Sequence, residues 1–380
     1  MTPTDELNML RAELGRVDQE LLALVARRQG LASAIGELKL RLGLPTRDYA
    51  QEKEVLERAR RAAEALALPG DLGVALLRML IASSLTRQEQ ERLAATGGGL
   101  GRRALVIGGS GRMGGWLIRF LGSQGFAVEI ADPAPGPPGV ARIDDWRASR
   151  LDHEVIVVAA TLEVSAGILS GLADRRPSGL VFDVGSLKGP LLDGLGALRA
   201  AGVNVTSIHP MFGPATELLS GRHVIFIDCG VPGAVRAARE LFAPTMAIQV
   251  EMSPAEHDRL IAYVLGLSHA TNIAFFHALA ASGEAAPALA RMSSTTFDAQ
   301  LAVAAQVASE NPHLYFEIQH LNRYGLEPLR GLRDAAEAIL ESIRRGDEAA
   351  FAALMEGGRE YFAGRGETAP PATSRPPTAP

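Results

Sequence analysis

The chain has one cysteine, Cys229, in 380 residues. A single thiol excludes an internal disulfide framework and a cysteine-based zinc centre. Positive charge is not in excess. Lys and Arg number 38 against 43 Asp and Glu, a net charge of −5, so there is no overall basic footprint for nucleic acid. No apolar run reaches the length of a membrane span. The N-terminus, Met1-Thr2-Pro3-Thr4-Asp5, is acidic and helix-patterned, unlike a signal peptide. What remains is a soluble cytoplasmic protein with no metal centre. Its 47% hydrophobic and 21% charged residues give a globular balance. At roughly 100–200 residues per domain the length calls for two or three domains.

Composition divides the chain into three regimes. Residues 1–95 read as an all-α domain of three helices, broken at Gly43-Leu44-Pro45 and at Pro69-Gly70. Gly97-Gly98-Gly99 then marks a linker over 96–102. From 103 to 252, short apolar runs (Ala104–Ile107, Ala127–Ala131, Val155–Ala159, Leu180–Asp183, His223–Asp228, Ala247–Val250) alternate mostly with helix-length segments. That pattern predicts an α/β doubly wound parallel sheet. Residues 253–365 are all-α again and rich in Ala and Leu, and 366–380 form a Pro/Thr/Ala-rich tail expected to be disordered.

The first helix carries charge where a core belongs. At about 100° per residue, Leu10, Leu14, Val17, Leu21, Val25, Ala32 and Ile35 form one apolar stripe. Arg28 and Lys39 fall in its middle and Arg11 at its edge. In the second helix Asp48 and Glu52 line up with Val55, Ala59 and Leu66. In the third, Ser84 and Gln88 continue the line of Leu77 and Ile81. One such residue is ordinarily a satisfied core polar group or a snorkelling side chain. Three helices doing it together are harder to explain so: buried unpaired cations cost several kcal/mol each, which internal ion pairs with Asp48 and Glu52 would offset in part and a bound dianion more completely.

Leu10-Arg11-x-Glu13-Leu14, Leu24-Val25-Ala26-Arg27-Arg28, Leu38-Lys39, Arg47-Asp48-x-x-x-Glu52 and Ser84-x-x-x-Gln88 resemble the all-helical chorismate mutases, whose three-helix chains dimerise with interlocked helices. The resemblance implies that Arg11 (from the partner subunit) and Arg28 bind the two carboxylates of chorismate. It gives Lys39 and Gln88 the ether oxygen, Asp48 and Glu52 the ring hydroxyl, and Ser84 a carboxylate. The reaction is a pericyclic rearrangement needing no nucleophile, catalysed by conformational restriction and electrostatic complementarity. One position departs: the family often has arginine just before the second-helix glutamate, and here it is Gln51.

Ala104–Ile107 runs into Gly108-Gly109-Ser110-Gly111-Arg112-Met113-Gly114 and then a helical stretch. Gly109-x-Gly111-x-x-Gly114 is the dinucleotide fingerprint in its strand–turn–helix context, where backbone approaches a pyrophosphate at a helix N-terminus. Ser110, Arg112 and Met113 complete the loop. Asp132 ends the next strand at the distance that suits ribose hydroxyls. With no Arg after it, the acid favours NAD over NADP. His209, placed after a short apolar strand, has a good position for a base or hydrogen-bond acceptor.

Asp183-x-x-Ser186-x-Lys188, His209-Pro210-Met211-Phe212-Gly213-Pro214 and Glu256-His257-Asp258 resemble the prephenate dehydrogenases. The fused order resembles that of the bifunctional chorismate mutase/prephenate dehydrogenases of tyrosine biosynthesis. The resemblance implies that His209 takes the hydroxyl proton of prephenate while hydride passes to NAD+ and CO2 leaves. It has Ser186 orient that hydroxyl and His209, His257 lie near nicotinamide and substrate, and the later helices form a homodimer and close the site. A second departure is Gln306, six residues before Pro312 in Asn311-Pro312-His313-Leu314-Tyr315. There the family has an arginine that grips a prephenate carboxylate.

Two other readings follow. Gln51 and Gln306 each remove a cation, which would ease repulsion of an ammonium-bearing substrate, so the same reactions on 4-amino-4-deoxychorismate and 4-amino-4-deoxyprephenate form an alternative. A non-catalytic ligand-binding homologue is the other, and retention of Arg11, Arg28, Lys39, Glu52, Gln88, His209 and His257 argues against it.

Overall fold

The computed structural model describes residues 2–285, 288–289 and 291–364. The tail expected to be disordered, 366–380, lies outside them. Three helices come first: α1 (Pro3–Arg41), α2 (Tyr49–Ala65) and α3 (Gly70–Thr96). Thr2 and Asp5 form a capping box at the start of α1, with Pro3 in its first turn. Asp48 caps α2 by accepting from Gln51 N at 3.0 Å. α3 packs against both α1 and α2.

At 1.5 Å per residue α1 is about 58 Å long. Leu7, Leu10, Leu14, Val17 and Leu21 on its N-terminal half are 47–61% exposed. Within the described residues nothing covers that stripe.

α3 runs on into the next unit, where Leu93 joins a core with Trp116, Leu117 and Phe126. In the glycine triplet that follows, within the expected linker, Gly97 and Gly99 are closely packed. A Cβ on Gly97 would lie 2.6 Å from Gln124 Cα, and one on Gly99 2.5 Å from Phe126 N.

The middle unit contains β1 (Arg103–Ile107), α4 (Arg112–Ser123), β2 (Ala127–Ala131), β3 (Ala141–Ile143), β4 (Val155–Val158), α5 (Leu162–Arg175), β5 (Leu180–Asp183), α6 (Leu192–Ala200), β6 (Val205–Pro210), β7 (His223–Ile227), α7 (Pro232–Phe242) and β8 (Ile248–Met252). Its eight-stranded sheet has the order β3-β2-β1-β4-β5-β6-β7-β8. Ala104 and Val106 face one core and Leu105 and Ile107 the other, as expected of strands covered on both faces. Burying each such side chain is worth roughly 1.5–3 kcal/mol.

Two details differ from the expected parallel sheet. β7 pairs antiparallel with β6, His209 opposite Ile225, while β8 is parallel to β7. The loop between β6 and β7 has no helix, so the chain doubles back instead of crossing over. β3 is an added three-residue edge strand without an apolar run to announce it.

The last unit is helical: α8 (Pro254–Ile261), a π-helical turn over Ala262–Leu267, α9 (Ser268–Ala281), α10 (Thr295–Ala308), α11 (Pro312–His320), α12 (Leu326–Arg345) and α13 (Glu348–Ala363). Pro254–Ala281, with mean hydropathy 1.3 over its most apolar window, is long and apolar enough to cross a membrane by length and composition alone. That corrects the expectation that no run reaches such a length. The run contains His257, Asp258, His269 and Asn272, and it packs on α10–α12 and on the sheet domain.

Candidate active sites

The first site lies between α1 and α3. Arg28 Nη1 donates to Ser84 Oγ (3.0 Å) and Leu80 O (3.1 Å), and burial lowers the guanidinium pKa. Ser84 Oγ is within hydrogen-bond distance of Gln29 Oε1. One turn on, Gln88 Nε2 donates to Ala32 O. Lys39 Nζ donates to Thr46 O at 3.0 Å. Arg28, Lys39, Ser84 and Gln88 thus gather along one face of the α1–α3 pair, Ser84 and Gln88 both buried.

Other expected members sit differently. Arg11 is exposed and 17 residues before Arg28, about 25 Å away along a straight helix, so it cannot reach Arg28's ligand in the same chain. Asp48 is engaged as the α2 cap. Glu52 makes a two-point ion pair with Arg47, 2.8 Å at each contact. Gln51 is exposed, and the guanidinium facing Glu52 belongs to Arg47, a partner that the sequence reading did not assign.

The second site occupies the carboxyl ends of the parallel strands. Gly108 has φ +85° between β1 and α4, and a Cβ on Gly114 would lie 2.8 Å from Gly109 Cα. Turn and helix therefore meet backbone to backbone. Gly111 is the N-cap of α4, and no side chain caps its first N–H groups. Asp132 Oδ2 accepts from Ser110 N (3.0 Å) and Oδ1 from Ala134 N (2.8 Å), so the carboxylate stands beside the glycine turn. Met113 packs against the core below, and Arg112 pairs with Glu310 at 2.9 Å. Exposed N–H groups at a helix start, a turn with no room for side chains and a neighbouring acid fit a dinucleotide.

Three strands along the same edge, about 14 Å away at normal strand spacing, His209 lies one residue before the end of β6. Its Nδ1 lies 2.8 Å from His257 Nε2, and His257 Nδ1 lies 2.8 Å from Asp258 Oδ1. Asp258 also accepts from Lys188 N (2.8 Å) and Gly189 N (2.6 Å). Burial, then the nearby His257 and Lys188, push the His209 pKa well below the ordinary histidine value. Burial also lowers His257, against the pull of Asp258. Asp258 is held below its usual value although burial opposes this, because His257 and two backbone N–H groups bond the carboxylate.

His257 was expected beside nicotinamide and substrate. It is only 1% exposed, and its ring nitrogens face His209 Nδ1 and Asp258 Oδ1. Lys188, fully buried, pairs with Asp183 (3.3 Å) and donates to Gly185 O (2.7 Å) and Ile208 O (3.0 Å). It ties the loop of half-buried Ser186 to the strand of His209. The sequence motifs contained Asp258 and Lys188, but nothing in the spacing distinguished them from ordinary polar residues.

Gln306 lies on α10, and Asn311 caps α11 through His313 N at 3.0 Å. Tyr315 stacks on His269, ring centroids 4.0 Å apart. Among the described residues, no group of three or more His, Cys, Asp or Glu is placed to hold a metal ion.

Residues 10–89 match the family model of chorismate mutase type II, and residues 253–357 that of the prephenate dehydrogenase dimerization domain. The T-protein of Enterobacter agglomerans is 26% identical over 357 residues, covering 94% of this chain and 93% of its own length. The 4-amino-4-deoxyprephenate dehydrogenase of Streptomyces pristinaespiralis is 30% identical over 278 residues, 68% of this chain and 90% of its own. The fold of residues beyond the first helices is that of prephenate dehydrogenase from A. aeolicus, solved in complex with hydroxyphenyl propionate and NAD+. The TM-score is 0.53 at 18% identity, over 69% of this chain and 98% of that one. With a mutase unit in front and a dehydrogenase unit behind, matched almost end to end by T-protein, the chain belongs to the bifunctional chorismate mutase/prephenate dehydrogenase family.

Proposed function

We propose that this enzyme rearranges chorismate to prephenate and then oxidatively decarboxylates prephenate to 4-hydroxyphenylpyruvate with NAD+, in the cytoplasm, as a homodimer. The observation that carries the second reaction is the unbroken line Asp258–His257–His209, ending on the same sheet edge as the glycine turn.

A carboxylate only accepts, so His257 carries its proton on Nδ1 and presents a lone pair at Nε2. That lone pair accepts the Nδ1 proton of His209, which leaves His209 Nε2 as the acceptor for a substrate hydroxyl. Burial keeps the ring neutral and ready to take the proton. The hydride acceptor would be supplied by NAD+ when bound. The electrons of the carbon–carboxylate bond then complete the aromatic ring as CO2 departs. Gly109, Gly111 and Gly114 would hold the pyrophosphate and Asp132 the ribose, with Ser186 beside the reacting hydroxyl.

In the first reaction Arg28 and Ser84 would hold one carboxylate and Arg11 of the partner subunit the other. Lys39 Nζ and the Gln88 amide would meet the ether oxygen as it gains charge. The distance between Arg11 and Arg28, the uncovered leucines of α1 and the match to a dimerization domain support a homodimer.

The amino-substrate alternative rests on Gln51, Gln306 and the 30% identical Streptomyces relative. Arg47 weakens it at the first site, because it already neutralises Glu52. The test follows NADH formation by purified protein given chorismate, prephenate and their two 4-amino analogues in parallel. A kcat/KM preference for the hydroxy pair supports the proposal. Preference for the amino pair, or no turnover of either, overturns it.

A further inference from the structure

Glu89 follows Gln88 on α3 but points away from the mutase face, into the dinucleotide domain. It is 2% exposed. Its Oε2 accepts from Leu219 N at 2.8 Å and its Oε1 from Met246 N at 2.6 Å. The next residue of the same loop, Ser220, accepts at Oγ from Arg47 Nη1 at 2.7 Å. Arg47 in turn holds Glu52. A third connection stays within the mutase unit: Arg92 Nη1 donates to Thr46 Oγ1 (3.1 Å), and Thr46 O receives the Lys39 ammonium.

Two adjacent residues of the dinucleotide domain therefore grip two helices of the mutase. Leu219 fixes α3 through Glu89, and Ser220 fixes the start of α2 through Arg47. A carboxylate held at both oxygens by backbone N–H groups sets the rotation of α3 about its axis. Neighbouring helix residues are offset by about 100°, so that rotation decides where Gln88 points. Fit on the opposite side is tight: a Cβ on Gly36 of α1 would come 2.8 Å from Gln88 Cγ. Burial raises the Glu89 pKa against the pull of the two N–H groups, so the carboxylate is kept in place at a desolvation cost.

We infer that the Leu219–Ser220 loop and Met246 are a working part of the mutase site, and that Glu89 is a positioning residue for the rearrangement, acting through Gln88. This rests on the mutase activity proposed above. Glu89 itself touches no reacting atom.

The test measures both activities of full-length Glu89→Gln, Gln88→Ala and the double variant, with Ser220→Ala as a milder probe of the same loop. The mutase substrate is whichever of chorismate and its amino analogue the wild type turns over. An amide can accept at one oxygen only, so Glu89→Gln should lower mutase kcat at least fivefold. KM should stay within twofold, and dehydrogenation of the corresponding prephenate unchanged. In the Gln88→Ala background the same substitution should cost less than twofold. Ser220→Ala should lower mutase turnover alone. Full mutase activity in Glu89→Gln, a loss that adds fully to Gln88→Ala, or a parallel fall of both activities would overturn the inference. A wild type inactive on both mutase substrates would instead overturn the underlying activity.

Discussion

Asp258 Oδ1 lies 2.8 Å from His257 Nδ1, and through that ring it sets the proton on His209, which it does not bond. The carboxylate is itself held by the Lys188 and Gly189 N–H groups, so the line is anchored at its far end. Replacing Asp258 by Asn lets His257 adopt the other tautomer. Its Nε2–H would then oppose His209. Dehydrogenase kcat is expected to fall by on the order of 10²-fold while mutase activity stays at the wild-type level. A loss smaller than threefold in steady-state assays would mean that the line does not control His209.

The acid limb of the dehydrogenation pH profile should lie below the normal histidine range. His209 and His257 are both lowered by burial, so both are neutral at neutral pH. kcat/KM is therefore expected to be level through pH 7 and to fall only as His209 protonates in acid. Stability has the same sign. The unfolded chain binds protons on these rings below about pH 6.5 while the folded one does not. The stability they contribute is thus full above that pH and lost as pH falls below it. Denaturant midpoints measured from pH 8 to 5 should decrease.

Arg11 and Arg28 can be separated genetically. Arg11→Ala and Arg28→Ala homodimers should both lack mutase activity. Unfolded together and refolded as an equal mixture, they should recover about a quarter of it, because half the dimers are mixed and each has one intact site. No recovery, with dimers verified, would assign both arginines to one chain.

Asp132→Asn should weaken NAD+ by roughly 10- to 100-fold, the value of a hydrogen bond to a charged acceptor. Prephenate KM at saturating cofactor is expected to hold. Calorimetry of NAD+ binding reads the change directly.

Gln306→Arg separates the two substrate series. A restored guanidinium should improve prephenate kcat/KM about tenfold or more and disfavour the ammonium analogue. Improved use of the amino compound would reverse that assignment.

The periodicity of α1 exposed Arg28 and Lys39 as charges on an apolar stripe, and the strand–glycine–helix order exposed the cofactor turn. Both are local signals carried within about 35 residues. Contacts between distant residues left no such trace. His209 and His257 are 48 positions apart, and Arg47 and Ser220 are 173. Their partnership depends on strand order and on how α3 meets the sheet. The same applies to β7: its apolar run announced a strand, but direction follows from the helix-free loop before it.

The glycine joint has a consequence for how the gene can be cut. Gly97 and Gly99 sit where not even a methyl group fits against Gln124 and Phe126, so the crossing is a weld rather than a hinge. The exposed residues of this stretch, Gly98, Leu100 and Gly101, lie between or just beyond those two packed glycines. Expressed as separate cassettes split at the triplet, each half would carry a raw seam: Leu93 stripped of its core on one side, Phe126 uncovered on the other. The pair should aggregate or re-associate rather than behave as two independent enzymes.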